Sequence, residues 1–300
     1  MEASAGRPRV IGITLGDAAG VGPEVVEAAL ASGRIDGSFE YRVLGERAGV
    51  QPGVPIPESA RGAIAALEEA ARLALSGELA AVVTGPISKA LVQREGFAFP
   101  GQTEFFAART GTRNFAMCLT GGALTVGLVT AHVPLRDVPA LLSAPEIIRV
   151  GGLLAEFAAQ RLRRRPRIAV AGLNPHAGES GALGREEIEL IEPAVHLLAG
   201  EFGAVADFAG PLPPDTVFQR AAAGGFDAVL CMYHDQGLIP LKLHAFDRGV
   251  NVTLGLPFPR TSPDHGTAFD IAGRGVARPD SMIAAIQLAT ELAARTSPAA

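Results

Sequence analysis

The chain has 300 residues, of which 48% are hydrophobic, rich in Ala, Val and Leu, and only 5% aromatic. That is enough to bury a large core in two domains, or in one large α/β unit. The net charge of −5 argues against a dedicated nucleic-acid binder, which carries a basic balance, but leaves room for a local basic pocket that takes a phosphorylated metabolite.

The apolar run 10–15 predicts a first strand, broken by the turn GDAAGVG; Pro23 then suits the start of a helix to residue 30. A Gly-rich turn that delivers a helix N-terminus can cradle an anion. The spacing is not G-x-G-x-x-G, however, and the loop taken alone reads as a tight βα turn. A second strand is expected at 41–44, a Pro/Gly-rich connection at 50–57, and a helix at 59–75 on the spacing of Ile64, Leu67, Ala71 and Leu75. The strand 80–83 ends in TGPISK, where Lys89 can meet an anion or simply be solvated. PGQTEFF predicts a turn into a helix with Thr103 as N-cap, its hydroxyl equally suited to a substrate. Runs 115–119 and 124–130 around TGG predict a hairpin.

A helix is expected at 145–165, its RLRRR end complementing the helix dipole rather than forming a nucleic-acid patch. A strand at 168–173 ends in NPHAGE, and a helix follows at 185–198, on which His196 is structural. GPLPPDT reads as a rigid loop, with Asp215 or Thr216 starting the next helix. The buried strand 228–231 then leads into a strand-end loop at His234 and Asp235, the last helix is expected at 282–294, and 296–300 is a frayed end. Cys118 and Cys231 lie inside apolar runs and are expected as buried, reduced thiols. No secretory signal or membrane-length apolar run is seen, so a cytoplasmic protein with no membrane partner is expected. Strands alternating with helices make the class α/β.

Three histidines share one local grammar. LVTAH ends at His132, GLNPH at His176 and CMYH at His234, each just past a buried strand. Strand ends converge in such sheets, and three imidazoles with an open position suit catalytic zinc, or cobalt or another divalent ion. Three separate loop histidines remain the alternative. Lys242, Asn251 and Arg260 recur every nine residues in apolar surroundings. A buried cation needs an anion, either a substrate phosphate or Asp235, Asp247 or Asp264. Downstream, DHGTAFDIAGRG has glycines that permit close backbone approach, and Asp270 is placed to accept from ribose hydroxyls. The stretch resembles the nucleotide-binding loop of isopropylmalate and isocitrate dehydrogenases, which bind NAD(P) without the Rossmann fingerprint.

GITLGDAAGVGPE, TGPISK, TEFF, LVTAHVPLRDV, GLNPHAGESGALGREE, GPLPPDT and nearly all of 227–275 resemble the 4-hydroxythreonine-4-phosphate dehydrogenase family of vitamin B6 biosynthesis. The resemblance implies an isopropylmalate-dehydrogenase-like fold of two α/β domains: 1–103 with 262–300, carrying the nucleotide loop, and 104–261, carrying the metal ligands and dimer interface. It implies His132, His176 and His234 as divalent-metal ligands, with zinc first and cobalt or magnesium as alternatives. Gln102, Thr103, Lys242, Asn251 and Arg260 are then substrate-binding, and His265, Gly266, Thr267 and Asp270 bind NAD or NADP. The implied enzyme is a homodimer with its active site at the interface, oxidising 4-phosphohydroxy-L-threonine at C3 before decarboxylation to 3-amino-2-oxopropyl phosphate. Asp235 and Lys242 are the candidate proton carriers.

One departure bears on the substrate. The family's Gly-His-Thr-Glu is Gly101-Gln102-Thr103-Glu104 here, and glutamine cannot carry charge or shuttle a proton. The 45–59 region is also shorter than the family pattern. A related branch acting on phosphothreonate or phosphoerythronate therefore stays open. A phosphotransacetylase-type acyltransferase and a periplasmic-style binding protein are the rivals from other classes.

Overall fold

A computed structural model describes residues 9–295; the frayed end expected at 296–300 lies outside the described residues. In chain order the elements begin with β1 (Val10–Thr14), α1 (Gly22–Ala31), β2 (Glu40–Leu44), α2 (Pro57–Leu75), β3 (Ala81–Thr84), α3 (Lys89–Arg94) and α4 (Gln102–Arg109). The hairpin β4 (Ala116–Gly121) and β5 (Leu124–Leu128) follows, then α5 (Val138–Leu141), α6 (Ala144–Leu162) and β6 (Arg167–Ala171). The chain continues through α7 (Glu192–Phe202), β7 (Asp207–Leu212), α8 (Pro214–Ala222), β8 (Ala228–Cys231) and α9 (His234–Ala245), closing with β9 (Val250–Leu254), β10 (Arg260–Pro263) and α10 (Asp280–Ala293).

Two compact units result: Met1–Arg113 with Leu256–Ala300, and Asn114–Gly255. In the first unit the strands run in the order β2-β1-β3-β10, every described pairing parallel. Parallel strands are covered on both faces and so need continuous apolar runs; VIGIT of β1 and AVVT of β3 are buried throughout. Helix α2 packs on β1 and β3, and α10 on β3 and β10. The apolar stripe of α2 recurs at Ala60, Ala63, Leu67, Ala70 and Ala74, all buried. Beside it, Phe97, Phe99, Phe105, Phe106 and Phe258 form a chain of aromatic contacts with centroids 5.2–6.2 Å apart. Each well-set aromatic pair adds about 0.5–1.5 kcal/mol beyond area burial, so this cluster fixes α4.

In the second unit the order is β9-β4-β5-β8-β6-β7. The predicted hairpin β4–β5 is antiparallel, as is β4–β9, while β5, β8, β6 and β7 pair in parallel. Both cysteines are buried as expected. Burial pushes the Cys118 thiol up to about 12 and raises that of Cys231 further, so both stay protonated and inert.

Several local expectations are corrected. The GPLPPDT stretch is not all loop: 207–212 is a strand. Pro211 is tolerated there because β7 lies at the end of the sheet order, with a register shift beside it. The strand-end loop expected at His234 is instead the start of α9, and two further strands follow it. Gly237 and Pro240 disguise that helix in the sequence, yet Gly237 is needed: a Cβ there would lie 3.0 Å from Cys231 Sγ and 3.2 Å from Val126 Cβ, so only glycine lets α9 press onto β5 and β8. The helix expected at 185–198 begins with a π-turn, Glu187–Ile191, before α7. Thr103 is not an N-cap; the cap is Gly101, in extended backbone, and Thr103 lies in the first turn of α4.

Candidate active site

In the second unit the histidine grammar has a topological meaning. Strands β5, β8 and β6 lie side by side and parallel, with Val126 opposite Val229 and Ile168 opposite Ala228. His132 follows β5, His234 follows β8 and His176 follows β6, so all three leave the same ends of neighbouring strands, where open α/β sheets place ligand chemistry. The rings of His132 and His234 have centroids 5.3 Å apart. They share a cavity of about 170 Å³ with Thr130, Tyr233 and Asp235. His234 Nδ1 lies 2.7 Å from Asp235 Oδ1, so its N–H donates to the carboxylate and Nε2 keeps its lone pair for a ligand. Burial, with Cys231 and Asp235 nearby, raises the Tyr233 pKa, which keeps the phenol neutral beside them.

His176 is held apart from this pair by its own loop. It opens five consecutive left-handed residues, His176 to Ser180, with φ between 44° and 79°, a conformation that costs an L-residue about 1–2 kcal/mol. Its Nδ1 stands 4.0 Å from Asp215 Oδ2. The loop is braced by Glu187, 2% exposed, whose Oε1 accepts from the backbone N–H of Leu173 and of Asn174 at 2.7 Å each, and whose Oε2 accepts from Asn174 Nδ2 at 3.0 Å. Buried Gln236 ties the exits of β8 and β6, accepting from Met232 N at 2.7 Å and donating to Gly172 O at 2.6 Å. Among the described residues of one chain, no group of three or more His, Cys, Asp or Glu is arranged to hold a metal ion. The structure thus joins His132 and His234, but not His176, in one place.

Lys242 lies on α9 eight residues after His234, about 12 Å along the axis, and is half-buried. Asn251 is on β9, its Oδ1 buried with no hydrogen-bond partner among the described residues.

In the first unit Arg260 sits on β10, 3% exposed. Its Nη2 donates to Thr84 Oγ1 at 2.5 Å and to Gln102 Oε1 at 2.8 Å, and the guanidinium lies 5.7 Å over the Phe106 ring. Burial pulls the Arg260 pKa down to about 10, against the pull of the Glu104 carboxylate. A cation so desolvated gains strongly from an incoming anion. A Cβ placed on Gly101 would lie 3.0 Å from Glu104 Oε2 and 3.7 Å from Lys89 Nζ, so both charges flank the start of α4.

The nucleotide-loop residues His265, Gly266, Thr267 and Asp270 fall between β10 and α10, packed against the Gly-rich turn before α1. Val21 N donates to Thr267 O at 2.8 Å and Gly273 N to Glu24 Oε2 at 3.0 Å. Gly20 must be glycine, since a Cβ would meet Thr267 O at 2.7 Å. His265 Nδ1 bonds Gly266 O at 3.0 Å, while His265 Nε2, Glu24 Oε1 and Asp17 Oδ2 are buried without a hydrogen-bond partner among the described residues. Such orphaned atoms carry a cost that a polar ligand would relieve.

Sequence reasoning did not single out Thr84, Glu24, Gln236 or Glu187. Thr84, Glu24 and Glu187 each lay within a motif already quoted, and Gln236 follows HD directly, but no role was read into any of them.

Residues 23–289 match the family described as pyridoxal phosphate biosynthetic protein PdxA. The chain is 45% identical over 335 residues to the 4-hydroxythreonine-4-phosphate dehydrogenase of Caulobacter vibrioides, covering 96% of this chain and 98% of that one. The crystal structure of 4-hydroxythreonine-4-phosphate dehydrogenase from Klebsiella pneumoniae superposes with a TM-score of 0.81 at 37% identity, covering 95% of this chain and 99% of that chain. A β-decarboxylating dehydrogenase from Thermococcus kodakarensis, at 19% identity and TM-score 0.52, over 95% of this chain and 83% of that one, shares the fold, as expected from the nucleotide loop.

Proposed function

The chain belongs to the PdxA family and is an oxidoreductase, and from that premise we propose that it oxidises 4-phosphohydroxy-L-threonine at C3 with NAD or NADP and a divalent metal, releasing CO2 and 3-amino-2-oxopropyl phosphate. Membership in an oxidoreductase family leaves the acyltransferase and binding-protein alternatives without support. The observation that carries the reading is the placement of His132, His234 and His176 at the ends of three neighbouring parallel strands, with His132 and His234 5.3 Å apart and His234 oriented by Asp235.

Two imidazoles, one of them carboxylate-held, suit zinc, cobalt or magnesium in part. Among the described residues one chain brings no three such ligands together, and the proposal has the site completed in a homodimer across its interface. An apolar patch on α9 and the turn after it supports that assembly: Ile239, Leu243 and Phe246 are 66%, 89% and 76% exposed, with Ile239 and Leu243 four residues apart on one helix face. The nucleotide is assigned to the unit Met1–Arg113 with Leu256–Ala300, and the metal and the dimer contact to the unit Asn114–Gly255.

Bound metal supplies a Lewis acid for the C3 oxygen. The chain's own residues do the rest. Arg260, Thr103, Gln102, Lys242 and Asn251 serve the phosphate end, so that binding energy remote from C3 orients it. His265, Gly266, Thr267 and Asp270 hold the nicotinamide nucleotide, and the orphaned His265 Nε2 gives it a polar partner. Bound NAD or NADP would supply the hydride acceptor for C3, whose hydroxyl gives up a proton; the β-keto acid then cleaves its C–C bond to CO2, and the carbon left behind takes up a proton. Asp235, bonded to His234, and Lys242 are the two residues proposed to move these protons. No single helix among the described residues is long and apolar enough to cross a membrane, and a cytoplasmic enzyme is consistent with that.

A second reading has one observation behind it: Gln102 in the place of the family's histidine. It favours a four-carbon phosphorylated acid, 4-phospho-threonate or 4-phospho-erythronate, for the same chemistry. The test is NADH formation by the purified chain with all three substrates, with and without a chelator. Turnover of any of them that stops on chelation supports the reading; no NADH from any, or turnover indifferent to metal removal, overturns it.

A further inference from the structure

The Gln102 side chain is spent inside the protein. Its Oε1 accepts from Arg260 Nη2 at 2.8 Å, and its Nε2 donates to Gly85 O at 3.0 Å. The carboxamide thus bridges the buried guanidinium of β10 to the backbone that follows β3. Thr84 Oγ1, one residue before Gly85, takes a second bond from the same Nη2. Gln102 is itself the first residue of α4, which is anchored by the fully buried Phe105 and Phe106. The clamp therefore stands on packed elements rather than on a loose loop.

We infer that Gln102 is a positioning residue: a neutral clamp that aims the Arg260 guanidinium at the anionic end of the substrate. The inference rests on the phosphate-binding role proposed for Arg260.

The chemistry explains why an amide suits the place. Arg260 is already costly to keep charged in its buried setting, and a second cation beside it would add to that cost. Arg260 of β10 bonds Gln102 directly, and Glu104 of α4 and Lys89 of α3 are the charged groups beside the neighbouring Gly101. An amide accepts from Arg260 at any pH. A neutral histidine can do the same with one ring nitrogen while donating to Gly85 O with the other. A protonated histidine has two donors and no acceptor, and turns from clamp to repulsive neighbour.

The test compares wild type, Gln102→Ala and Gln102→His as full chains. Steady-state NADH formation is followed with the preferred phosphorylated substrate between about pH 5.5 and 8.5, the range over which an imidazole titrates, and inorganic phosphate binding is measured by calorimetry. Gln102→Ala is expected to raise KM and the phosphate Kd about tenfold or more, the weight of one hydrogen bond to a charged group, with much less change in kcat. Gln102→His is expected to match wild type at the alkaline end, the conservative rescue. The ratio of its KM to that of wild type should then climb as pH falls through the imidazole pKa. Wild-type KM in Gln102→Ala, or a Gln102→His ratio that is flat with pH, would overturn the clamp while leaving the proposed function standing. A wild-type chain that makes no NADH but binds phosphate more tightly than Gln102→Ala would overturn the functional reading and support the clamp.

Discussion

His234 Nδ1 and Asp235 Oδ1 lie 2.7 Å apart on consecutive residues at the first turn of α9. Adjacent side chains on a helix point about 100° apart, so this contact bends Asp235 back onto the ring and fixes which nitrogen carries the hydrogen. The Asp235 side chain is 70% exposed, so the pair adds little to stability; its effect is on the availability of Nε2. Asp235→Ala is expected to weaken zinc or cobalt binding about 10- to 100-fold with little change in Tm. A competitive chelator titration measures this, and an unchanged affinity would show that Asp235 does not orient His234 for metal.

Glu187 should matter far more for folding. Its buried carboxylate satisfies three donors at the mouth of the left-handed segment that carries His176. Removing it leaves two backbone N–H groups buried and unpaired, each costing about 1–3 kcal/mol. Glu187→Ala is therefore expected to lose roughly 3 kcal/mol or more, and Glu187→Gln less, because an amide oxygen can still accept. Denaturant unfolding gives the loss, and amide exchange of 173–181 locates it. A Glu187→Ala chain as stable as wild type, with the loop still protected, would mean that the left-handed run holds itself.

Glu187 also marks how far the sequence is legible. Strand and helix alternation, the hairpin and the strand-end histidines follow from apolar periodicity and turn residues, which act locally, and each reappears in the fold. What the sequence conceals is set by distant partners. The helix at 234–245 carries Gly237 and Pro240, both signals against a helix, and forms because Gly237 lets it press onto Cys231 and Val126. Pro211 spoke against a strand, and the strand forms because it lies at the end of the sheet order. The buried setting of Arg260 was foreseen from its apolar neighbours; that Gln102 and Thr84 hold it was not, since they lie 158 and 176 residues away in sequence. The family resemblance supplied the site residues, and the structure orders them within each unit.

The depressed pKa of Arg260 gives a direct titration. Its folded value of about 10 stands below the ordinary arginine range, chiefly through burial. The unfolded chain therefore binds this proton more tightly than the folded one. This group's cost to the fold is therefore full below about pH 10 and is relieved as pH rises above it, toward the ordinary arginine range. With 13C-labelled arginine, one guanidinium carbon is expected to titrate with a midpoint near 10, to vanish in Arg260→Lys, and to move to higher pH when phosphate is added. If no arginine titrates below about pH 12, the ordinary range for this side chain, Arg260 is better solvated than its 3% exposure implies; a midpoint unmoved by phosphate would count against its binding role.

The exposed Ile239, Leu243 and Phe246 give a test of the proposed homodimer. Leu243 is 89% exposed and Phe246 76%, a heavy apolar load for a face left in water, and burying such side chains is worth about 1.5–3 kcal/mol each. Ile239 and Leu243 belong to the helix that begins at His234, and Phe246 to the turn after it, so a partner docked there would pack on the same element that carries His234. Leu243→Asp with Phe246→Asp should keep the fold, since neither side chain is in the core, but should reduce the species in light scattering from twice the 30.9 kDa chain mass to the single chain. Zinc stoichiometry and NADH formation should fall with it, and in proportion to the monomer fraction as the protein is diluted. A doubly substituted chain that stays dimeric would place the interface elsewhere. A monomer that still binds zinc and turns over would show that one chain completes the site alone.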